Sequence, residues 1–82
     1  MRLDKYLKVS RIIKRRTVAN EACDAGRVIV NGKPARASYD VKVGDVIDLQ
    51  LGARGIRAKV VSVNEYAKKE DAPAMYEIIA ES

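Results

Sequence analysis

The chemistry available to this chain is concentrated near its start. Arg2, Lys5, Lys8, Arg11, Lys14, Arg15 and Arg16 all lie within residues 2–16, with Asp4 as the only acid among them. Seven cations against one acid give that stretch +6, whereas the 82-residue chain carries +5, so everything else sums to −1. Guanidinium forks and ammonium groups at this density suit phosphate oxygens, and Arg15-Arg16 places two planar forks side by side. Charge that only kept a small protein soluble would be mixed in sign along the chain. A block of one sign points to a polyanion.

Other chemistries are poorly supplied. Histidine, the commonest general base and metal ligand, is absent. Cys23 is the only cysteine, so no internal disulfide can form. Alone it makes neither a thiol-protease arrangement nor a zinc site. No activating neighbour is evident, so it reads as a small buried hydrophobe and not as a reactive thiol. The expectation is a binding protein and not an enzyme, with no catalytic residues, metal or cofactor. A chain of this length makes one domain with a modest core and little room for an enclosed pocket. No stretch approaches the roughly 20 apolar residues of a membrane span. The charged N-terminus lacks the apolar region of a secretory signal, so a cytoplasmic protein without a membrane partner is expected.

The positioning elements follow from periodicity and turn signals. Residues 2–9 read as a helix, with Leu3, Tyr6 and Leu7 toward a core and Arg2, Lys5 and Lys8 as a polar stripe at spacing three. Asp4 in the first turn is either a charge favoured by the helix dipole or a residue that orients an arginine. Val9, Ile12 and Ile13 continue the apolar supply, and Ser10 caps or breaks the helix. Arg11, Lys14, Arg15 and Arg16 then crowd a corner. Thr17 reads as the N-cap of a second helix, with Asn20 in the capping-box position. Gly26 follows as a stop in the left-handed conformation. The N-terminus of this helix favours an anion, and Arg15 and Arg16 precede it. Should one of them pair with Glu21 or Asp24, the other remains free.

Val28-Ile29-Val30 reads as a strand, and Asn31-Gly32 as a type I′ hairpin turn. Residues 33–36 are expected as a short return strand, held to a sheet edge by Pro34. The chain turns again at Gly44-Asp45. Residues 46–51 read as a half-buried strand with Ile47, Leu49 and Leu51 on one face, and residues 56–63 as its antiparallel partner. From Asn64 onward the sign reverses, two lysines against five acids giving −3. Asp71 is expected to cap a final short helix with Pro73 in its first turn and with Met75, Ile78 and Ile79 on its docking face. The class is α+β.

The segments RLDKYL, SRIIKRRTVANEACDAGRVIVNGKPA and KVGDVI, in that order, resemble the S4 RNA-binding domain. The resemblance implies the S4-type (alpha-L) fold: two packed N-terminal helices on a small antiparallel sheet, here with the short C-terminal helix. Residues 1–64 would form the RNA-binding domain, and residues 65–82 an acidic segment packed on it. The positions that match the family's RNA surface are Arg2, Lys5, Arg11, Arg15, Arg16, Thr17 and Arg27, with Lys33 in the hairpin. Lys8 and Lys14 extend the same basic stretch. Gly26, Asn31, Gly32, Gly44 and Asp45 match structural turns and need no role on RNA. Among free-standing S4 chains, this one is similar to the ribosome-associated quality control factors of the RqcP type and to heat shock protein 15, without the longer basic extension of the latter. That implies a monomer whose partners are large ribosomal subunit rRNA, peptidyl-tRNA and an RqcH-type elongation partner. The implied role is support of template-independent elongation of a stalled chain. Two rival readings are an RNA-binding accessory subunit of an RNA-modification enzyme and a general nucleic-acid binder. With four tyrosines and no Phe or Trp, an aromatic platform of the RRM or OB kind is not expected. Readout through phosphates and 2′-hydroxyls fits better.

Overall fold

In the computed structural model, which describes residues 1–81, helix α1 spans Leu3–Val9 and helix α2 spans Arg16–Asp24. Leu3, Tyr6 and Leu7 of α1 are fully buried, as their spacing requires, and meet Ala19 and Cys23 from α2. Burying one leucine of this kind contributes about 2 kcal/mol. The first turn of α1 is tied to the loop that precedes the third strand. Leu3 N–H donates to the Tyr39 carbonyl at 2.8 Å and Asp4 N–H to the Ala37 carbonyl at 3.2 Å. These bonds satisfy backbone donors that a helix start otherwise leaves unpaired. Ser10 ends the helix as its C-cap, buried, with its hydroxyl donating to the Leu7 carbonyl.

Helix α2 ends as expected. Gly26 takes φ +74°, Arg27 N–H reaches back to the Ala22 carbonyl and Gly26 N–H to the Cys23 carbonyl, each at 3.0 Å. That pair of bonds is a Schellman motif, and the left-handed residue within it favours glycine. The start of α2 differs from expectation. Its N-cap is Arg15, extended at φ −121°, with no side chain capping the helix, and Thr17 is an exposed residue of the first turn. The tight corner before it decides this. Arg11 adopts φ +63° and Ile13 N–H closes onto the Leu7 carbonyl at 3.0 Å, so the chain is extended by Arg15 and helical from Arg16.

Strands β1 (Val28–Val30), β2 (Lys33–Pro34), β3 (Val46–Leu51), β4 (Arg54–Val60) and β5 (Tyr76–Glu81) form one antiparallel sheet in the order β2-β1-β3-β4-β5. Val28, Val30, Ile47, Leu49 and Val60 turn toward the helices and complete the core. The position of the Leu51 side chain, expected on that face, lies outside the described residues. Across the solvent side, Arg57 Nε meets Asp48 Oδ1 at 2.7 Å on neighbouring strands. Asn31 (φ +53°) and Gly32 (φ +85°) make the left-handed pair of the β1–β2 turn. β2 is shorter than the expected 33–36 but does lie at the edge.

The expected C-terminal helix is replaced by a single 3-10 turn, Ala72–Met75, followed by β5. Met75 is buried and its carbonyl accepts the Tyr6 hydroxyl at 2.8 Å. Ile78 and Ile79 are 42% and 51% exposed on a strand, and do not dock as one helical face. Spacing at i, i+3 and i+4 fitted a helix. The open edge of β4 offered ladder partners to a β-branched run instead, and Val60–Tyr76 and Lys59–Glu77 now pair.

Candidate nucleic-acid interface

Asp4 is the centre of the basic face. It is 2% exposed, and five donor atoms converge on its carboxylate. Oδ1 accepts Lys5 N–H at 2.8 Å and Arg2 Nε at 3.1 Å. Oδ2 accepts Asn20 Nδ2 at 3.3 Å, Arg16 Nε at 3.4 Å and Arg2 Nη2 at 3.4 Å. Burial alone would raise its pKa. The bonds from Asn20, Arg2 and the Lys5 N–H, with the charge of Arg16, outweigh that and hold it below the usual carboxylate range. Of the two readings of Asp4, the one that orients arginine therefore holds, and it orients two.

The arginines use one side of their guanidinium groups on Asp4 and keep the rest in solvent. Their side chains are 51% and 48% exposed for Arg2 and Arg16, against 2% for Asp4. With Thr17, Asn20 and Glu21 they line an open concavity of about 430 Å³. Neither Glu21 nor Asp24 takes up Arg15 or Arg16 among the described ion pairs. The N–H groups of Arg16, Thr17 and Val18 have no hydrogen-bond partner among the described residues. Half-exposed guanidinium groups and free helix-start donors thus share one recess, a chemistry that suits phosphate.

A second concavity, about 710 Å³, is lined by Lys8, Val9, Arg11 and Lys14 from α1 and the corner, and by Glu65 and Ala67 from the segment after β4. Arg11 pays for its position with a left-handed backbone that a non-glycine residue seldom adopts. Lys5 lies beside this recess and is partly neutralised, its Nζ 3.5 Å from Glu65 Oε1. Arg15 is exposed at the N-cap of α2. Arg27 and Lys33 lie elsewhere. Arg27 borders α2 and β3 with Ala22 and Gln50, and Lys33 the hairpin edge with Arg36 and Tyr39. Of the ten expected residues, then, the fold gathers Arg2, Arg16 and Thr17 in one recess and Lys8, Arg11 and Lys14 in another.

Sequence reasoning missed Asn20 as a partner of Asp4. Its only sequence signal is its place one helical turn after Arg16. It also missed Glu65 at the basic face, for which no local signal exists across sixty residues of chain. The turns behave as expected. Asp45, 8% exposed, accepts Tyr39 Oη at 2.9 Å and Asn31 Nδ2 and Lys42 N–H, each at 3.0 Å. The described residues contain no cluster suited to a metal ion and no helix long and apolar enough to cross a membrane.

A profile of the S4 domain family matches residues 1–47. The RQC P-site tRNA stabilizing factor of Streptococcus pneumoniae is 56% identical over 82 residues, which cover all of this chain and 93% of that protein. The factor of the same name from Bacillus subtilis is 49% identical over 81 residues, 99% of this chain and 94% of that one. Among solved structures, the trimeric structure of Vibrio cholerae heat shock protein 15 superposes with a TM-score of 0.89 at 28% identity, covering 98% of this chain and 82% of that one. The chain belongs to the S4 domain family, in the branch whose curated members are named RQC P-site tRNA stabilizing factors.

Proposed function

We propose that this protein is a non-catalytic RNA-binding factor of ribosome quality control. It stabilises P-site tRNA on large ribosomal subunits obstructed by peptidyl-tRNA. In this reading it contacts rRNA and tRNA together, and so supports template-independent elongation of the stalled chain by an RqcH-type partner. The observation that carries the reading is the Asp4-centred pair of half-exposed guanidinium groups beside the uncapped start of α2. The names of relatives about half identical over nearly the full chain support it as well.

The mechanism is binding energy placed between two RNAs. Phosphate contacts by Arg2 and Arg16 displace counterions, so affinity falls linearly with log salt. Because Asp4 fixes both side chains beforehand, less conformational freedom is lost on binding. A non-catalytic role accords with the lone thiol. Burial pushes the Cys23 pKa up to about 11, and the charges of Asp4 and Asp24 add to the shift, so it stays protonated near neutrality.

The test is co-sedimentation with large subunits, with and without peptidyl-tRNA, for wild type and Arg16→Ala. The expected result is preferential binding to tRNA-carrying subunits, reduced about tenfold in Arg16→Ala, with the salt slope smaller by about one. The fold should survive, since Asp4 keeps Arg2, Asn20 and the Lys5 N–H. Equal binding to empty subunits would overturn the tRNA-stabilising role.

A further inference from the structure

The four tyrosines differ sharply in their surroundings. Tyr6 is fully buried and its hydroxyl donates to the Met75 carbonyl at 2.8 Å. Tyr39 donates to Asp45 at 2.9 Å, and Tyr76 packs against the core. Tyr66 is 87% exposed, and among the described residues its hydroxyl bonds to nothing. Of the four tyrosine rings in a chain with no Phe or Trp, only that of Tyr66 stands open to solvent, and an exposed ring offers a flat apolar face with a polar tip.

Its placement is fixed by its neighbours. Asn64 Oδ1 accepts the Tyr66 N–H at 3.0 Å, and the Asn64 carbonyl accepts Ala67 N–H at 3.4 Å, so the segment is turned by its own asparagine. Glu65 reaches Lys5 at 3.5 Å. Glu65 and Ala67, the residues on either side of Tyr66, line the recess that also holds Lys8, Arg11 and Lys14. Tyr66 therefore stands between two residues of the wall of a basic concavity, outside residues 1–47 matched by the family profile.

We propose that Tyr66 is a nucleobase-stacking contact. An unpaired RNA base packs on its ring while the adjoining phosphates lie in the recess of Lys8, Arg11 and Lys14. This rests on the RNA-binding reading above and adds a contact for unpaired bases to it. A ring stacks on any base, so the contact adds affinity for single-stranded positions without reading their sequence. It also gives the segment after β4 a purpose at the interface, where its acidic residues alone would repel RNA.

The experiment compares wild type, Tyr66→Ala, Tyr66→Phe, Tyr66→Trp and Arg16→Ala on two RNA probes: a stem–loop with an unpaired loop, and a blunt duplex of the same base pairs. Tyr66→Ala should weaken stem–loop binding about tenfold with little change on the duplex. Its salt slope should equal that of wild type, because no charge is lost, whereas Arg16→Ala lowers the slope by about one. Tyr66→Phe should bind as wild type. Tyr66→Trp introduces the chain's only tryptophan, and its fluorescence should be quenched by the stem–loop. Unchanged stem–loop binding in Tyr66→Ala, with Arg16→Ala weakened, would overturn the stacking contact and leave the RNA-binding reading standing. Failure of wild type to bind either probe would overturn the stacking contact as a source of affinity for unpaired bases, while the tRNA-stabilising role is decided by co-sedimentation with the subunits.

Discussion

Asp4 and Asp45 are buried to a similar degree, and each gathers donors from three or four residues, yet the two carboxylates have different consequences. The partners of Asp45 are all neutral: the Asn31 amide, the Tyr39 hydroxyl and the Lys42 N–H. It joins the β1–β2 turn to the start of β3, and Asn31 completes the link by accepting Val46 N–H at 2.9 Å. Its whole effect is spent inside the protein. The partners of Asp4 include two guanidinium groups that remain half in water. Its single negative charge therefore fixes two positive ones at the surface. A buried carboxylate with neutral donors staples a fold, and one with half-exposed arginines also holds positive charge in place at the surface.

The largest expected effect breaks the comparison on the stability side. Asp45→Ala leaves three donors without their acceptor, and urea unfolding should register a loss of about 3 kcal/mol. RNA affinity per folded molecule should stay unchanged. A folded Asp45→Ala protein with weakened RNA binding would mean that both aspartates serve the interface.

Asp4→Asn sharpens the comparison on the binding side. It adds one unit of positive charge, so a protein that bound RNA by net charge alone would bind more tightly. The arrangement around Asp4 predicts the reverse, a fall of about fivefold as Arg2 and Arg16 lose their common anchor. Stability should drop by only about 1–2 kcal/mol, because both arginines can return to water. Titration of RNA at several salt concentrations separates the two outcomes.

Acid should act on both sites with the same sign. In each, burial raises the carboxyl pKa, but hydrogen bonds and nearby positive charge more than offset it, so the folded value lies below 3.8. A carboxyl lowered on folding stabilises the protein above its unfolded pKa, and the stabilisation fades as pH falls through the folded one. Stability should therefore decline as pH falls through and below the usual carboxylate range, and Asp4→Asn or Asp45→Asn should each flatten that decline. Only Asp4→Asn should also alter RNA binding at neutral pH. An acid limb unchanged by either substitution would assign the decline to other groups.

Much of this molecule is written in local sequence. The leucine and tyrosine spacing of α1, the glycine that ends α2, the Asn31-Gly32 hairpin and the alternation in β3 each need only neighbouring residues to be recognised, because backbone geometry and side-chain period act over a few positions. The single-sign charge block of residues 2–16 is legible in the same way. What local pattern misread was the chain's end. Met75, Ile78 and Ile79 carry a helical spacing, and only the unpaired edge of β4 made Tyr76–Glu81 a strand. Thr17 had the right chemistry for an N-cap, but the strained corner at Arg11 moved the helix start two residues earlier, to an N-cap at Arg15.

The sequence by itself determined that this is a small α+β domain with seven cations within residues 2–16 and the motifs of the S4 family. Only the tertiary structure decided which cations act together. It buried Asp4 between Arg2 and Arg16, drew Glu65 onto Lys5 from sixty residues away, and left Arg27 and Lys33 lining separate recesses. The physical reason is range. Charge and periodicity are properties of short segments, whereas the grouping of side chains depends on how α1, the corner and the segment after β4 close around one core.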